Sequence, residues 1–224
     1  RKGITCQIGN ASRLSVSSGY MIVNDFRTAD VALGGQGAPL VPVGDHLLFS
    51  SFGHCLNIGG IANISFVKNG RRRAFDIVPA NMALNHLANR LGLKYDNKGI
   101  VAASGELCEK LLTQLNSLSY YSHPPPKSLG REWVSQEIIP LLDHGYNTTD
   151  LLRTLSEHIA LQIAKVINAN PGNGSVLVTG GGARNVFLIS LISSLTDAEL
   201  ISPSDAIIDF KEALIFGFLG LLRF

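Results

Sequence analysis

The chain has 224 residues and a mass of 24.0 kDa, and 46% of it is hydrophobic against 16% charged. That composition excludes a disordered chain and supplies enough apolar surface for one large domain or two small ones. A formal net charge of +2 gives no electrostatic ground for nucleic acid or an anionic membrane as partner. The greasiest stretch, Ala206 to Phe224, is interrupted by Asp209, Lys211 and Glu212, so no membrane span is expected. Cys6, Cys55 and Cys108 are an odd set with no C-x-x-C pair, which predicts reduced thiols in a cytoplasmic protein and no zinc or disulfide framework. The chain opens on Arg1 and runs at once into a strand-like segment, as the later part of something longer would.

In chain order, residues 4–8 and 20–24 have the pattern of short strands, with a polar helix between Asn10 and Ser18. Asn24-Asp25-Phe26-Arg27 follows, and Gly34, Gly35 and Gly37 ahead of Pro39 predict a loop. The stretch from Cys55 to Asn81 organises what comes after. Asn57-Ile58-Gly59-Gly60 is a glycine turn; apolar residues then alternate from Ile61 to Phe66 and again from Ala74 to Ile77. Between the two runs Asn69-Gly70 favours a tight hairpin, and Arg71-Arg72-Arg73 is expected to be its solvated end in preference to a phosphate patch. Asp76 stands near the end of the second run. Helices are predicted from Asn81 to Leu91, closed by Gly92, and from Gly105 to Leu115 with Ser104 as cap. Pro124-Pro125-Pro126 makes the following connector stiff and extended. Helices resume over 131–142 and 149–168; then the strand Ser175 to Thr179 enters Gly180-Gly181-Gly182 and a helix over 186–195. A strand at Glu199 to Ile201 and a helix from Ala206 complete a mixed α/β sheet.

Strand, three glycines, helix brings bare backbone N–H groups and a helix N-terminus together, which suits an anion or a closely packed nucleotide. A simple tight turn explains the same glycines. GGGARN lacks the third glycine of the dinucleotide fingerprint, and no Gly-Lys-Ser or Gly-Lys-Thr of a phosphate-binding P-loop occurs. Asp76 ahead of Pro79 is also ordinary turn chemistry. The six histidines have no metal-ligand spacing, and no G-x-S-x-G elbow is present.

Taken together, the pieces decide more. The glycine turn, the hairpin, the Asp-bearing strand and the strand–GGG–helix resemble the nucleotide-binding half of the actin-like, ribonuclease H-like ATPase fold shared by sugar kinases. That fold implies a mixed sheet with helices on both faces. NDFRTADVALGGQGAPLVP, LNIGGIANIS, FDIVPANM, PPPKSLGRE, TGGGARN and KEALIF resemble, in order, the motifs of the anhydro-N-acetylmuramic acid kinase family, and the resemblance covers nearly the whole chain. It implies ATP and Mg²⁺ as cofactors and an amino sugar as substrate, whose 1,6-anhydro ring is opened and whose O6 is phosphorylated in peptidoglycan recycling. A cytoplasmic homodimer is implied as well. By motif match Asp76 is the catalytic base, and Arg27, Asn81 and Glu212 bind the sugar. Asn57, Gly59 and Gly60 belong to a phosphate loop, and Gly180, Gly181, Gly182 and Asn185 to the adenosine loop. The metal ligands are not assigned, and Lys127 and Arg131 match the motif without a role.

Two departures stand against a complete enzyme. The family's glycines flanking the proline after the base are here Val78 and Ala80. Its N-terminal G-T-S-x-D-G phosphate loop is absent, so residues 1–50 are expected to be the trailing part of a first lobe and 51–224 the second. The isolated chain is then expected to be inactive. A non-catalytic nucleotide-binding scaffold of the same fold, or another sugar kinase, are the competing readings.

Overall fold

The computed structural model describes residues 9–34, 39–143 and 145–223; the strand expected over 4–8 and the glycines Gly35 and Gly37 lie outside the described residues. The chain divides into two compact units, one of residues 51–209 and one that joins 1–50 to 210–224. The sequence expectation grouped everything after residue 50 together; here Phe210 onward groups with the first segment instead.

In the smaller unit, α1 (Ala11–Ser18) starts where the Asn10 side chain accepts from Arg13 N–H at 2.9 Å, and it stops at Gly19, with φ +72°. Residues 20–24 form no strand: the Tyr20 carbonyl takes the Ser15 hydroxyl at 2.8 Å, and α2 (Phe26–Ala32) begins directly afterwards. Among the described residues no strand lies beside this segment to share its hydrogen bonds, and alternation alone is not enough. α2 ends at Ala32, ahead of the predicted glycines, and α3 (Val41–Leu48), opened by Pro42, was not foreseen. The last helix of the chain, Asp205–Leu221, supplies Lys211, whose ammonium pairs with the buried Asp45 at 2.7 Å and lies 5.5 Å from the Phe49 ring centre. One turn on, Ile215 packs so tightly on Gly44 that a Cβ there would lie 2.5 Å from its Cγ1.

The larger unit is built on β1 (His54–Ile58), β2 (Ile61–Lys68), β3 (Arg71–Pro79), β4 (Ser175–Thr179) and β5 (Glu199–Ile201), in the order β3-β2-β1-β4-β5. The first three run antiparallel, and β1, β4 and β5 are parallel. Asn69 and Gly70 both have positive φ, 54° and 71°, as a two-residue hairpin whose twist matches its strands requires. Helices follow as α4 (Asn81–Arg90), α5 (Ile100–Ala103), α6 (Glu109–Asn116), α7 (Arg131–Trp133), α8 (Ile139–Leu142), α9 (Thr148–Ala169), α10 (Val186–Ser194) and α11 (Asp205–Leu221). A π-helical segment, Val134–Ile138, joins α7 to α8.

The core forms between one sheet face and the helices. Leu56, Ile58, Ile64, Phe66, Phe75, Val176 and Val178 meet Leu84, Leu87, Leu111, Leu155, Ile159 and Leu188 in one buried cluster. The predicted helix from Gly105 starts four residues late. Glu106 and Cys108 give their N–H groups to Asp150 Oδ1 and Thr154 Oγ1 of α9, both at 2.9 Å, so this segment is tied to α9 before it can coil. Ser104 ends α5 instead of capping α6. Among the described residues no helix is long and apolar enough to cross a membrane.

Candidate active site

Because β1 and β4 are parallel and Asn57 pairs with Thr179, the two strands end side by side and so do the glycine turns that follow them. Gly180 has φ +81° and ψ 166°, a backbone conformation open in practice to glycine alone. A Cβ on it would run into the Asn57 side chain and lie 2.8 Å from the Ile58 carbonyl oxygen. A Cβ on Gly182 would overlap the Ile58 side chain. Asn57 is thus wedged between the turns, with its Nδ2 also 3.4 Å from the Cβ position of Gly59.

Asn81, the first residue of α4, closes the same knot. Its backbone N–H donates to Gly59 O and its Nδ2 to Ile58 O, each at 3.1 Å, while Ala80 and Met82 give their N–H groups to Gly60 O at 2.9 and 3.0 Å. Gly60 and Gly181 differ from the others. Both are exposed, and a Cβ on either would meet only ordinary contacts, Met82 at 3.7 Å and Asn81 at 3.6 Å. They present bare backbone that the fold itself does not demand.

Asp76 lies across the sheet in the same register row. It pairs with Asn63, Asn63 with Asn57, and Asn57 with Thr179, so four polar side chains line one face at the ends of four strands. The ladder slips between Ala62 and Asn63, which makes Ile77 the extra residue of a bulge. A bulge bends its strand and re-aims the side chains beside it. Since β3 is an edge strand, its outer side would be bare; the connector after the 3-10 turn Ser119–Ser122 covers it at Asp76. The Tyr120 hydroxyl donates to Asp76 O at 2.6 Å, Leu129 N–H to Asp76 Oδ2 at 2.9 Å, and Asp76 N–H to Lys127 O at 3.4 Å. Burial, and then the charge of Asp76, push the Tyr120 phenol well above its ordinary pKa, so it stays a donor. Lys127 donates to Tyr120 O at 3.1 Å and lies 4.5 Å over its ring; burial and then Lys165 lower its pKa.

The structure therefore gathers Asn57, Gly59, Gly60, Asn81 and Gly180 to Gly182 in one knot, with Asp76 two register pairs from Asn57. Asn185 serves the fold: its Oδ1 caps α10 by accepting from Leu188 N–H at 3.0 Å. Arg27, half-buried in α2, and Glu212, exposed on α11, belong to the smaller unit. Among the described residues no three His, Cys, Asp or Glu side chains gather into a metal cage. Tyr120 and the Leu129 N–H escaped sequence reasoning. PPPKSLGRE marked the segment, but a backbone donor and a hydroxyl aimed at a carbonyl leave no trace in residue spacing.

A mixed sheet in this strand order, with glycine turns ending its parallel strands and a carboxylate on the neighbouring hairpin, is the actin-like ATPase fold of the sugar kinases. The (R)-2-hydroxyglutaryl-CoA dehydratase component A of Acidaminococcus fermentans shares it, with a TM-score of 0.50 at 17% identity over 78% of this chain and 63% of its own. Within that class the chain belongs to the anhydro-N-acetylmuramic acid kinase family, whose model matches residues 1–224. It is 36% identical to the anhydro-N-acetylmuramic acid kinase of Shewanella frigidimarina and 37% identical to that of Pseudomonas putida, over 98% of its own length in both. It spans 62% and 64% of those relatives.

Proposed function

We propose that this chain carries the base and the nucleotide turns of an ATP-dependent kinase that opens the 1,6-anhydro ring of anhydro-N-acetylmuramic acid and phosphorylates O6. The observation that carries this reading is the row from Asp76 through Asn63 to Asn57, because Asn57 is packed between the two glycine turns. A carboxylate on the same face as the phosphate turn and the adenosine turn is what coupled hydrolysis and phosphoryl transfer need. Gly60 and Gly181 admit close approach of an anion to backbone N–H groups. Magnesium bound with the nucleotide would supply positive charge for the transferring group.

In this reaction a water oxygen bonds to the anomeric carbon as the bridge from that carbon to O6 breaks. The released O6 bonds to the γ-phosphorus, and the bond from that phosphorus to the ADP oxygen breaks. Asp76 takes the proton that the water loses, which requires it ionised and aimed. Arg27 and Glu212 are assigned to the sugar on their motif match. A cytoplasmic location, a homodimer and a place in cell-wall recycling belong to the same reading.

The scaffold alternative rests on Val78 and Ala80. Among the described residues the non-glycine positions with positive φ are Asp25, Asn69 and Lys98, so neither 78 nor 80 uses backbone reserved to glycine. Both side chains are buried in the core. The deciding variant is Asp76→Asn in the intact protein with ATP, Mg²⁺ and the anhydro-sugar. The amide oxygen can still accept from Leu129 N–H, so fold and nucleotide binding are expected to persist while ADP and phosphosugar formation cease. Turnover retained in this variant removes Asp76 from the mechanism.

A further inference from the structure

We propose that Tyr120 is a positioning residue for Asp76: its hydroxyl, on the Asp76 carbonyl at 2.6 Å, pins the bulged end of β3 to the connector so that Leu129 N–H holds the carboxylate at 2.9 Å. The inference rests on Asp76 being the base. A bulge on an edge strand is a flexible place for such a group: the ladder is interrupted on one side and bare on the other. Three bonds, one from the 3-10 turn and two from the connector after it, remove that freedom. They take the N–H, the C=O and one carboxylate oxygen of a single residue, so backbone and carboxyl are both held. Tyr120 is the side chain among the three. It is 6% exposed, gripped by Lys127 and by Trp133, whose ring centre is 5.4 Å away. A misplacement of about 1 Å at a reacting group costs on the order of 100-fold in rate.

The neighbouring residue supplies the control. Tyr121 is buried to a similar degree and also spends its hydroxyl on a buried acceptor, but that acceptor is His158 Nε2 at 2.9 Å, away from Asp76. Tyr120→Phe and Tyr121→Phe each delete one oxygen and one buried hydrogen bond. In the intact protein both variants are expected to melt at lower temperature. Only Tyr120→Phe is expected to lower kcat, by about 10- to 100-fold, with KM for ATP unchanged within twofold. A kcat within twofold of wild type in folded Tyr120→Phe overturns the proposal, and so does an equal fall in kcat in Tyr121→Phe. If Asp76→Asn stays active, the base assignment itself fails. If Asp76→Asn is inactive and Tyr120→Phe is normal, the positioning role alone fails.

Discussion

At the scale of single residues, the glycines of the site separate into two kinds that look identical in the sequence. Gly180 and Gly182 are required by the fold, since a methyl group on either collides with Asn57 or Ile58. Gly60 and Gly181 have room for a methyl group. Gly180→Ala and Gly182→Ala are therefore expected to cost about 2 kcal/mol or more of stability, from strain and overlap. Gly60→Ala and Gly181→Ala are expected to leave the melting temperature within the scatter of surface changes, about 0.5 kcal/mol, yet to weaken ATP binding measured by titration calorimetry. Equal effects of all four on stability would mean that the turns serve the fold alone. The glycines and Asp76 were legible because each is a residue type the local backbone or chemistry singles out, and Asn81 only through its motif. Asn57 was legible as part of its turn, but its place between two turns depends on the β1–β4 pairing of residues 122 apart, from Asn57 to Thr179, which no local pattern encodes.

The elements show where local pattern is overruled. The hairpin, α4, α9, β4 and α10 stand where local pattern placed them, and two of them carry their own start signal: Asn147 caps α9 at 3.2 Å and Asn185 caps α10. α6 starts late because α9 captures the N–H groups before it, a tertiary bond invisible in the window of sequence. α9 also carries a fully buried polar set. His158 Nδ1 lies 2.7 Å from Asn116 Oδ1, which also accepts from Gln162 at 2.8 Å, and Nε2 lies 2.9 Å from the Tyr121 hydroxyl. A neutral imidazole fits both: Nδ1–H donates to Asn116, and Nε2 accepts from Tyr121. Burial lowers the His158 pKa from 6.5 to about 3. The folded protein thus stays neutral there while the unfolded chain takes a proton, so the stabilisation is whole above about pH 6.5 and is lost as pH falls towards 3. Chemical denaturation is expected to give a loss of about 1.4 kcal/mol per pH unit from this group over that window. His54, lowered chiefly by burial, adds in the same direction. His158→Gln is expected to flatten most of the slope, and an unchanged slope would place the titration elsewhere.

For the molecule as a whole, the informative fact is that the smaller unit draws on both sides of the larger one along the chain. Its buried Asp45–Lys211 pair and the Gly44–Ile215 contact join residues more than 160 positions apart. Removal of residues 210–224 takes the lysine from a buried carboxylate, a type of loss that costs about 3–5 kcal/mol. The shortened protein is expected to keep residues 51–209 resistant to limited proteolysis while 1–50 becomes a substrate; protection of both would deny the pairing its role.

The same connectivity sets an order of events on the ribosome. Asp45 is synthesised before the five strands of the sheet, and its lysine partner only after the last of them. The carboxylate's segment thus waits unfinished through about 160 rounds of peptide synthesis, roughly 10 to 30 seconds at about 5–20 residues per second.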